Sequence, residues 1–176
     1  MKNVLVIILA VLALGSCKKL KQLTVFEAKY DVDLVIPANS LINIPISVLS
    51  PDMNTNIKET VEANDSRIDK LESVKIKSIT LLVTSPSGKT FSFLKDAEIY
   101  LGADGMPEVL IAVKQNIPNS VGSELQLDVT DTELLNYIKK DKITFRANVT
   151  TDEVLTQNVN IKAKTVFLLD AKILGL

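Results

Sequence analysis

The chain has 176 residues, with 20 lysines and arginines against 21 aspartates and glutamates and a formal net charge of −1. That balance creates no strong field of either sign, so neither nucleic acid nor a highly acidic substrate is favoured as a partner. With no histidine, no tryptophan and one cysteine, the side chains cannot build a Ser-His-Asp triad, a multi-ligand His or Cys zinc or copper site, or histidine-ligated haem.

The chain opens Met1-Lys2-Asn3 and then runs without charge from Val4 to Leu14. A basic residue ahead of a short apolar run is the layout of a secretory signal. Eleven helical residues rise about 16 Å, against a bilayer core of about 30 Å, which is too short for a stable span. The run ends at Leu14-Gly15-Ser16-Cys17, which resembles the lipobox of bacterial lipoproteins. The resemblance covers residues 1–17. It implies that residues 1–16 are removed and that Cys17 takes diacylglycerol on its sulfur and becomes the new amino terminus. Two other readings are a helix buried in the fold with Cys17 an ordinary thiol, and an uncleaved membrane anchor. The buried helix needs a groove that covers all its sides. Lipidation consumes the only cysteine, leaving neither a thiol nucleophile nor a disulfide.

Residues 17–22 then form a lipidated tether. Its Lys18, Lys19 and Lys21 either lie on anionic headgroups, adding about 1 kcal/mol each, or are simply solvated. Residues 23–176 are enough for one domain with a real core.

The first strand begins near Leu23 or Thr24. Phe26, Ala28, Tyr30, Val32, Leu34 and Ile36 share one parity, and Glu27, Lys29, Asp31 and Asp33 the other. A period of two turns the first set to a core and the second to water. Leu41, Ile42, Ile44 and Ile46 form a second apolar stretch, which Pro45 confines to an edge or a bulge. Met53, Ile57 and Val61 recur four apart and predict a helix from Met53 to about Asn64. Val74–Val83 reads as a strand whose alternation drifts, as expected of a bulge or of burial on both faces. Ser85-Pro86-Ser87-Gly88 is a turn, and Phe91 and Phe93 follow on one side of a short extended piece.

Ala97, Ile99 and Leu101 predict a strand that turns at Gly102–Gly105 and returns over Glu108 to Val113 as a hairpin. Asn116 to Gly122 is a loop, and Leu125, Leu127 and Val129 make one short alternating strand. Thr130 and Glu133 have capping-box spacing at the head of a short helix carrying Leu134, Leu135 and Ile138. Lys139, Lys140 and Lys142 suit the negative end of its dipole. Ile143, Phe145, Ala147 and Val149 alternate, and so do Val159 through Ile173. Past Val166 and Leu168 both parities are apolar, which predicts burial between layers.

These roughly eight strands and two short helices predict a mainly β domain, a two-layer antiparallel β-sandwich. The pattern is compatible with an immunoglobulin-like topology, and a small closed barrel is the alternative.

The stretch SITLLVTSPSGKTFSFLKDAEIYLGADG, with the closing VNIKAKTVFLLDAKI, resembles small Bacteroidetes lipoproteins of unassigned function. Surface-exported lipoproteins of that phylum often carry an acidic run after the lipidated cysteine. Here Lys18, Lys19, Leu20 and Lys21 stand instead, which points to the periplasmic face. The aspartate that retains many enterobacterial lipoproteins on the inner membrane is also missing, so the resemblance implies the outer membrane.

Asp31 and Asp33 share a strand face, where such a pair serves a glycosidase-like or calcium site, or is merely solvated. Asp104-Gly105 and Asp152-Glu153 read as turns. Ser85-Pro86-Ser87-Gly88-Lys89 lacks the glycines and the following helix of a phosphate loop. Lys139-Lys140 is helix-end charge, and Arg67 and Arg146 are expected in surface ion pairs.

No catalytic, cofactor-binding or metal-binding residue is therefore assigned, no cofactor is expected, and the assigned site residue is the lipidated Cys17. The expected function is a membrane-anchored, non-enzymatic binding or envelope-assembly lipoprotein, monomeric or weakly associating, with an envelope protein or a glycan as partner. The alternatives are a passive structural or adhesive envelope subunit and a carboxylate-dependent enzyme acting on glycans. The first strand runs outward from the anchor. The loop from Pro37 to Ser40, with Asn39, is therefore expected at the far end and Gln22 beside the membrane.

Overall fold

The computed structural model describes residues 24–172. The signal segment, Cys17, the lysines after it, Gln22, Leu23 and Ile173 lie outside the described residues.

Two antiparallel sheets face each other. The first strand, β1 (Val25–Ile36), and the last, β10 (Val159–Ala171), pair along their whole length. Each core residue of one meets a core residue of the other: Phe26 lies opposite Leu169, Val32 opposite Ala163, and Ile36 opposite Val159. β10 also pairs with β4 (Leu71–Ser85), and β4 with the short β7 (Glu124–Gln126). The second sheet runs β2 (Ile46–Leu49), β9 (Lys142–Thr151), β5 (Leu94–Ala103), β6 (Met106–Lys114) and β8 (Asp128–Val129), with β3 (Met53–Asn54) also on β9.

Leaving out the two-residue strands β3 and β8, eight strands interleave as β1-β10-β4-β7 over β2-β9-β5-β6. This is the double-sheet jelly roll. An immunoglobulin-like topology does not fit, because its first and last strands fall in different sheets, whereas β1 and β10 are neighbours in one. The sheets are also not closed into a barrel. Each keeps two edges, β1 and β7 in one and β2 and β8 in the other.

The drift in the Val74–Val83 pattern comes from bulges. The buried residues of β4 are Leu71, Val74, Ile76, Ile79 and Leu81. They lie opposite Ala171, Leu169, Phe167, Thr165 and Ala163, which fall two apart on β10 throughout. The ladder on β4 skips one residue between Leu71 and Ser73 and another between Ile76 and Ser78. Each extra residue reverses the parity while the same face stays on the core.

Several expected elements are corrected. The helix from Met53 contracts to α1 (Ile57–Glu62), because Met53 and Asn54 join β9 opposite Ile143 and Lys142. Phe91 and Phe93 lie in a 3-10 turn, not an extended piece, and both are fully buried. Leu125, Leu127 and Val129 do not share one strand. The chain changes sheets at the buried Leu127, passing from β7 to β8. Leu168 on β10 is 37% exposed despite its apolar surroundings, since each sheet of a two-layer sandwich has only one covered face.

The capping box also fails to form. Thr130 Oγ1 donates to Leu110 O, and the second helix is α2 (Leu135–Ile138). Glu133 instead pins this helix to the bulged start of β4. Its carboxylate accepts from Val74 N at 2.8 Å, Leu135 N at 2.9 Å and Ser73 Oγ at 2.6 Å. Partial burial pushes this carboxyl up, but the bonds from Ser73, Val74, Leu135 and Leu134 outweigh it and hold it below the usual value of 4.5. The stability it adds is therefore present above the unfolded-state pKa and is lost as pH falls through the lowered folded value. Glu133→Ala is expected to cost about 1–2 kcal/mol at pH 7, discounted for solvent exposure, and less below pH of about 4. Urea unfolding of both chains at the two pH values checks this.

Strand directions sort the loops into two ends. One end, called proximal because β1 starts there, is where β1, β4 and β9 begin, β10 stops and the β5–β6 hairpin turns through Asp104 and Gly105. At the distal end β1, β4, β6 and β9 finish and β2, β5, β7 and β10 start.

Candidate functional site

On β5 the buried residues Ala97, Ile99 and Leu101 turn Asp96, Glu98 and Tyr100 outward. On β9 the buried Phe145, Ala147 and Val149 likewise turn Arg146, Asn148 and Thr150 outward. The register sets Asp96 against Thr150, Glu98 against Asn148 and Tyr100 against Arg146. The first two of these pairs floor a groove of about 380 Å³ on the outer face of the sheet. Pro45, just before β2, forms one wall, and Gln115 and Asn116, just after β6, form the other.

The far wall is fixed by hydrogen bonds. Asn116 sits at φ 52, a left-handed conformation that asparagine tolerates better than most residues. Its N–H donates to Asp96 Oδ1 at 2.9 Å, and the next amide, Ile117 N, donates to Lys95 O at 2.9 Å. The near wall is held as firmly. Ile42 bridges to Thr151, Asn43 N donates to Thr151 O at 2.7 Å, and Lys95 Nζ donates to Asn43 Oδ1 at 3.1 Å. This pinned loop keeps three large apolar side chains in water. Leu41 is 63% exposed, Ile42 41% and Ile44 50%. They form an apolar ridge that runs into Pro45 and the groove.

The groove is acidic. Among the described residues neither Asp96 nor Glu98 has an ion-pair partner, while the cations around them are engaged elsewhere. Lys114 pairs with Asp128 at 3.2 Å and Arg146 with Glu108 at 2.6 Å. Glu98 accepts from Tyr100 Oη at 2.9 Å. That bond, with burial and the charge of Glu98, raises the Tyr100 hydroxyl above its usual value, so it remains a donor. The Arg146 guanidinium lies 4.2 Å from the centre of the Tyr100 ring and covers a face of it. Asn148 Oδ1 accepts from Arg146 at 2.5 Å and Ser47 at 2.6 Å. Its amide nitrogen is then the donor left for a ligand. The site thus offers two carboxylates, several amides and a hydroxyl beside a fixed apolar edge.

Of the residues singled out in the sequence, Arg146 borders the groove through Asn148 and Tyr100, and the others lie elsewhere. Asp31 and Asp33 both face Lys162, at 3.3 and 3.9 Å, on the outer face of β1. Asp104 and Gly105 form the hairpin turn, with Gly105 at φ 72. Lys89 closes its turn onto Pro86, bonds Glu153 at 2.6 Å and lies over Phe93. Arg67 pairs with Asp69 at 3.1 Å. The loop from Pro37 to Ser40 lies where β1 finishes, and it is tied down by Asn39 N to Leu155 O and Ala38 N to Asn158 Oδ1. The exposed apolar residues come just after it. Among the described residues no group of three or more acidic, histidine or cysteine side chains is placed to hold a metal ion, and no helix is long and apolar enough to cross a membrane.

Asp96, Glu98, Gln115, Asn116, Asn148 and Thr150 are absent from the sequence-based candidates. The polar parity of β5 and β9 is visible in the sequence, but their adjacency depends on the strand order. β1 is a long sheet edge, yet its outer face carries Glu27, Lys29, Asp31 and Asp33. Such charges blunt edge-to-edge pairing, and Tyr30 Oη, donating to Thr55 O at 2.9 Å, draws the segment before α1 toward its middle. Burial, followed by the charge of Glu59, pushes this tyrosine up to about 12.

No protein-family model matches the chain, and no curated protein matches its sequence. Among solved structures it is similar to CpGH89CBM32-5 from Clostridium perfringens, solved in complex with GalNAc-β-1,3-galactose. The identity is 12%, covering 81% of this chain and 96% of that one, with a TM-score of 0.37. It is also similar to chains of desmodium yellow mottle tymovirus (10% identity, 84% and 89% covered, TM-score 0.25) and turnip yellow mosaic virus (11% identity, 84% and 82% covered, TM-score 0.29).

Proposed function

We propose that this chain is a membrane-anchored, non-enzymatic binding lipoprotein, held by lipid on Cys17 at the periplasmic face of the outer membrane, and that the groove floored by Asp96 and Glu98 is its binding surface. The observation that carries this reading is the position of the groove. It opens at the distal end, and β1 enters at the proximal end. β1 has 12 residues, so it spans about 40 Å at 3.4 Å per residue. A lipid at Cys17 reaches the start of β1 at Val25 through a tether of about 26–29 Å at full extension. The domain then stands on the bilayer with its hairpin turn toward the lipid and the groove and apolar ridge turned away.

The test uses the lipidated full chain in vesicles that carry a headgroup quencher. A fluorophore is attached through Asp104→Cys in one preparation and Asn116→Cys in the other. Stronger quenching at position 104 is expected. Equal quenching, or stronger quenching at 116, would overturn the orientation, and a chain that floats free of the vesicles would overturn the anchoring.

A further inference from the structure

We infer that the distal groove and the Leu41–Ile44 ridge form one docking surface for an extended segment of another envelope protein, a segment that carries lysine or arginine beside aliphatic residues. This rests on the reading of the chain as a binding module and names its occupant.

Three observations carry it. The first is charge. Asp96 and Glu98 stand two apart on one strand, half-buried and without an ion-pair partner among the described residues, and the adjacent Lys114 and Arg146 are committed to Asp128 and Glu108. An incoming ammonium or guanidinium supplies the missing countercharge in a partly desolvated groove. The second is the ridge. Leu41, Ile42 and Ile44 are exposed, but their backbone is fixed on Thr151 and their loop on Lys95. A surface already rigid loses little entropy on docking, so most of the gain from covering it appears as affinity. The third is continuity. Pro45 follows Ile44 directly and lines the groove, so one extended segment crosses the apolar and the acidic parts in turn.

Other occupants fit less well. A sugar stacks on an open aromatic face, and the aromatic ring beside the groove, Tyr100, is covered by Arg146 and tied by its hydroxyl to Glu98. An anionic lipid surface is repelled by the two carboxylates.

The test is selection of a displayed library of random 12-residue peptides on the lipidated full chain in detergent, run in parallel with an array of neutral glycans. Retained peptides are expected to carry Lys or Arg beside Leu, Ile or Val. Their Kd should rise about tenfold at low salt in the double variant Asp96→Asn, Glu98→Gln, and by less at high salt, where exposed ion pairs are screened. Leu41→Ser with Ile44→Ser should weaken binding about tenfold at either salt concentration. Both variants are first checked for an unchanged unfolding midpoint, since all four side chains lie outside the core. Peptides lacking basic residues, or binding indifferent to either double variant, would overturn the proposal. Retention of a glycan and no peptide, lost in Asp96→Asn, Glu98→Gln, would overturn the occupant but leave the binding module standing. Retention of neither would overturn both.

Discussion

Phe167→Ala is expected to lower the stability of the domain by about 3–5 kcal/mol, a large part of the roughly 5–15 kcal/mol that holds a domain of this kind folded. Phe167 sits in β10 between β1 and β4, opposite Ala28 on one side and Ile76 on the other. Its side chain is fully buried, and its ring meets that of Tyr30 edge to face at 5.5 Å. Alanine removes the apolar contacts and the ring pair and leaves a cavity that two flanking strands cannot close without breaking their ladders. The neighbouring Leu168 points to water, and Leu168→Ser is expected to change stability by about 0.5 kcal/mol or less. Urea unfolding of the three chains reads the contrast. Where the alanine chain does not fold, Phe167→Leu keeps it measurable, with an expected loss of about 1–2 kcal/mol. Similar losses at 167 and 168 would contradict the assignment of the inner face of β10.

Cys17→Ser is expected to act as an all-or-none change. If the lipobox reading holds, the serine chain accepts no diacylglycerol and is not cleaved ahead of residue 17. Metabolic labelling with palmitate should then vanish, and the unprocessed precursor should accumulate. A single acyl chain gives only marginal membrane binding, and two or more are needed for a durable anchor, so the mature wild-type chain should pellet with membranes. Equal labelling and normal processing of the serine chain would remove the anchor from the account.

The strands most legible in the sequence are those whose two faces meet different solvents without interruption. β1 and β10 alternate strictly because one face lies on the core and the other in water, and their parity can be read residue by residue. β4 is harder, since two of its three bulges reverse the parity while Leu71, Val74, Ile76, Ile79 and Leu81 keep facing inward. Met53 misleads for a different reason. It lies four residues before Ile57, as in a helix, but a backbone ladder with Ile143 captures it into the sheet. Leu125, Leu127 and Val129 alternate as one strand would, yet the chain passes from one sheet to the other among them. Local pattern does not encode which layer a strand joins. The groove was hidden for the same reason. Asp96 and Thr150, or Glu98 and Asn148, are about fifty residues apart in the chain and become neighbours only through the β5–β9 ladder. The exposed Leu41, Ile42 and Ile44 were visible as apolar residues but not as a surface, because the contacts that hold them in water come from Thr151 and Lys95.

The most direct test of the distal binding surface is photocrosslinking in intact cells, with a photoreactive residue at Asn116 in the groove wall or at Asp104 in the hairpin turn. Captured protein is expected mainly from position 116, and the yield there should fall sharply when Asp96→Asn and Glu98→Gln are added. Equal capture at the two positions, greater capture at 104, or a yield at 116 that ignores the loss of both carboxylates would contradict it.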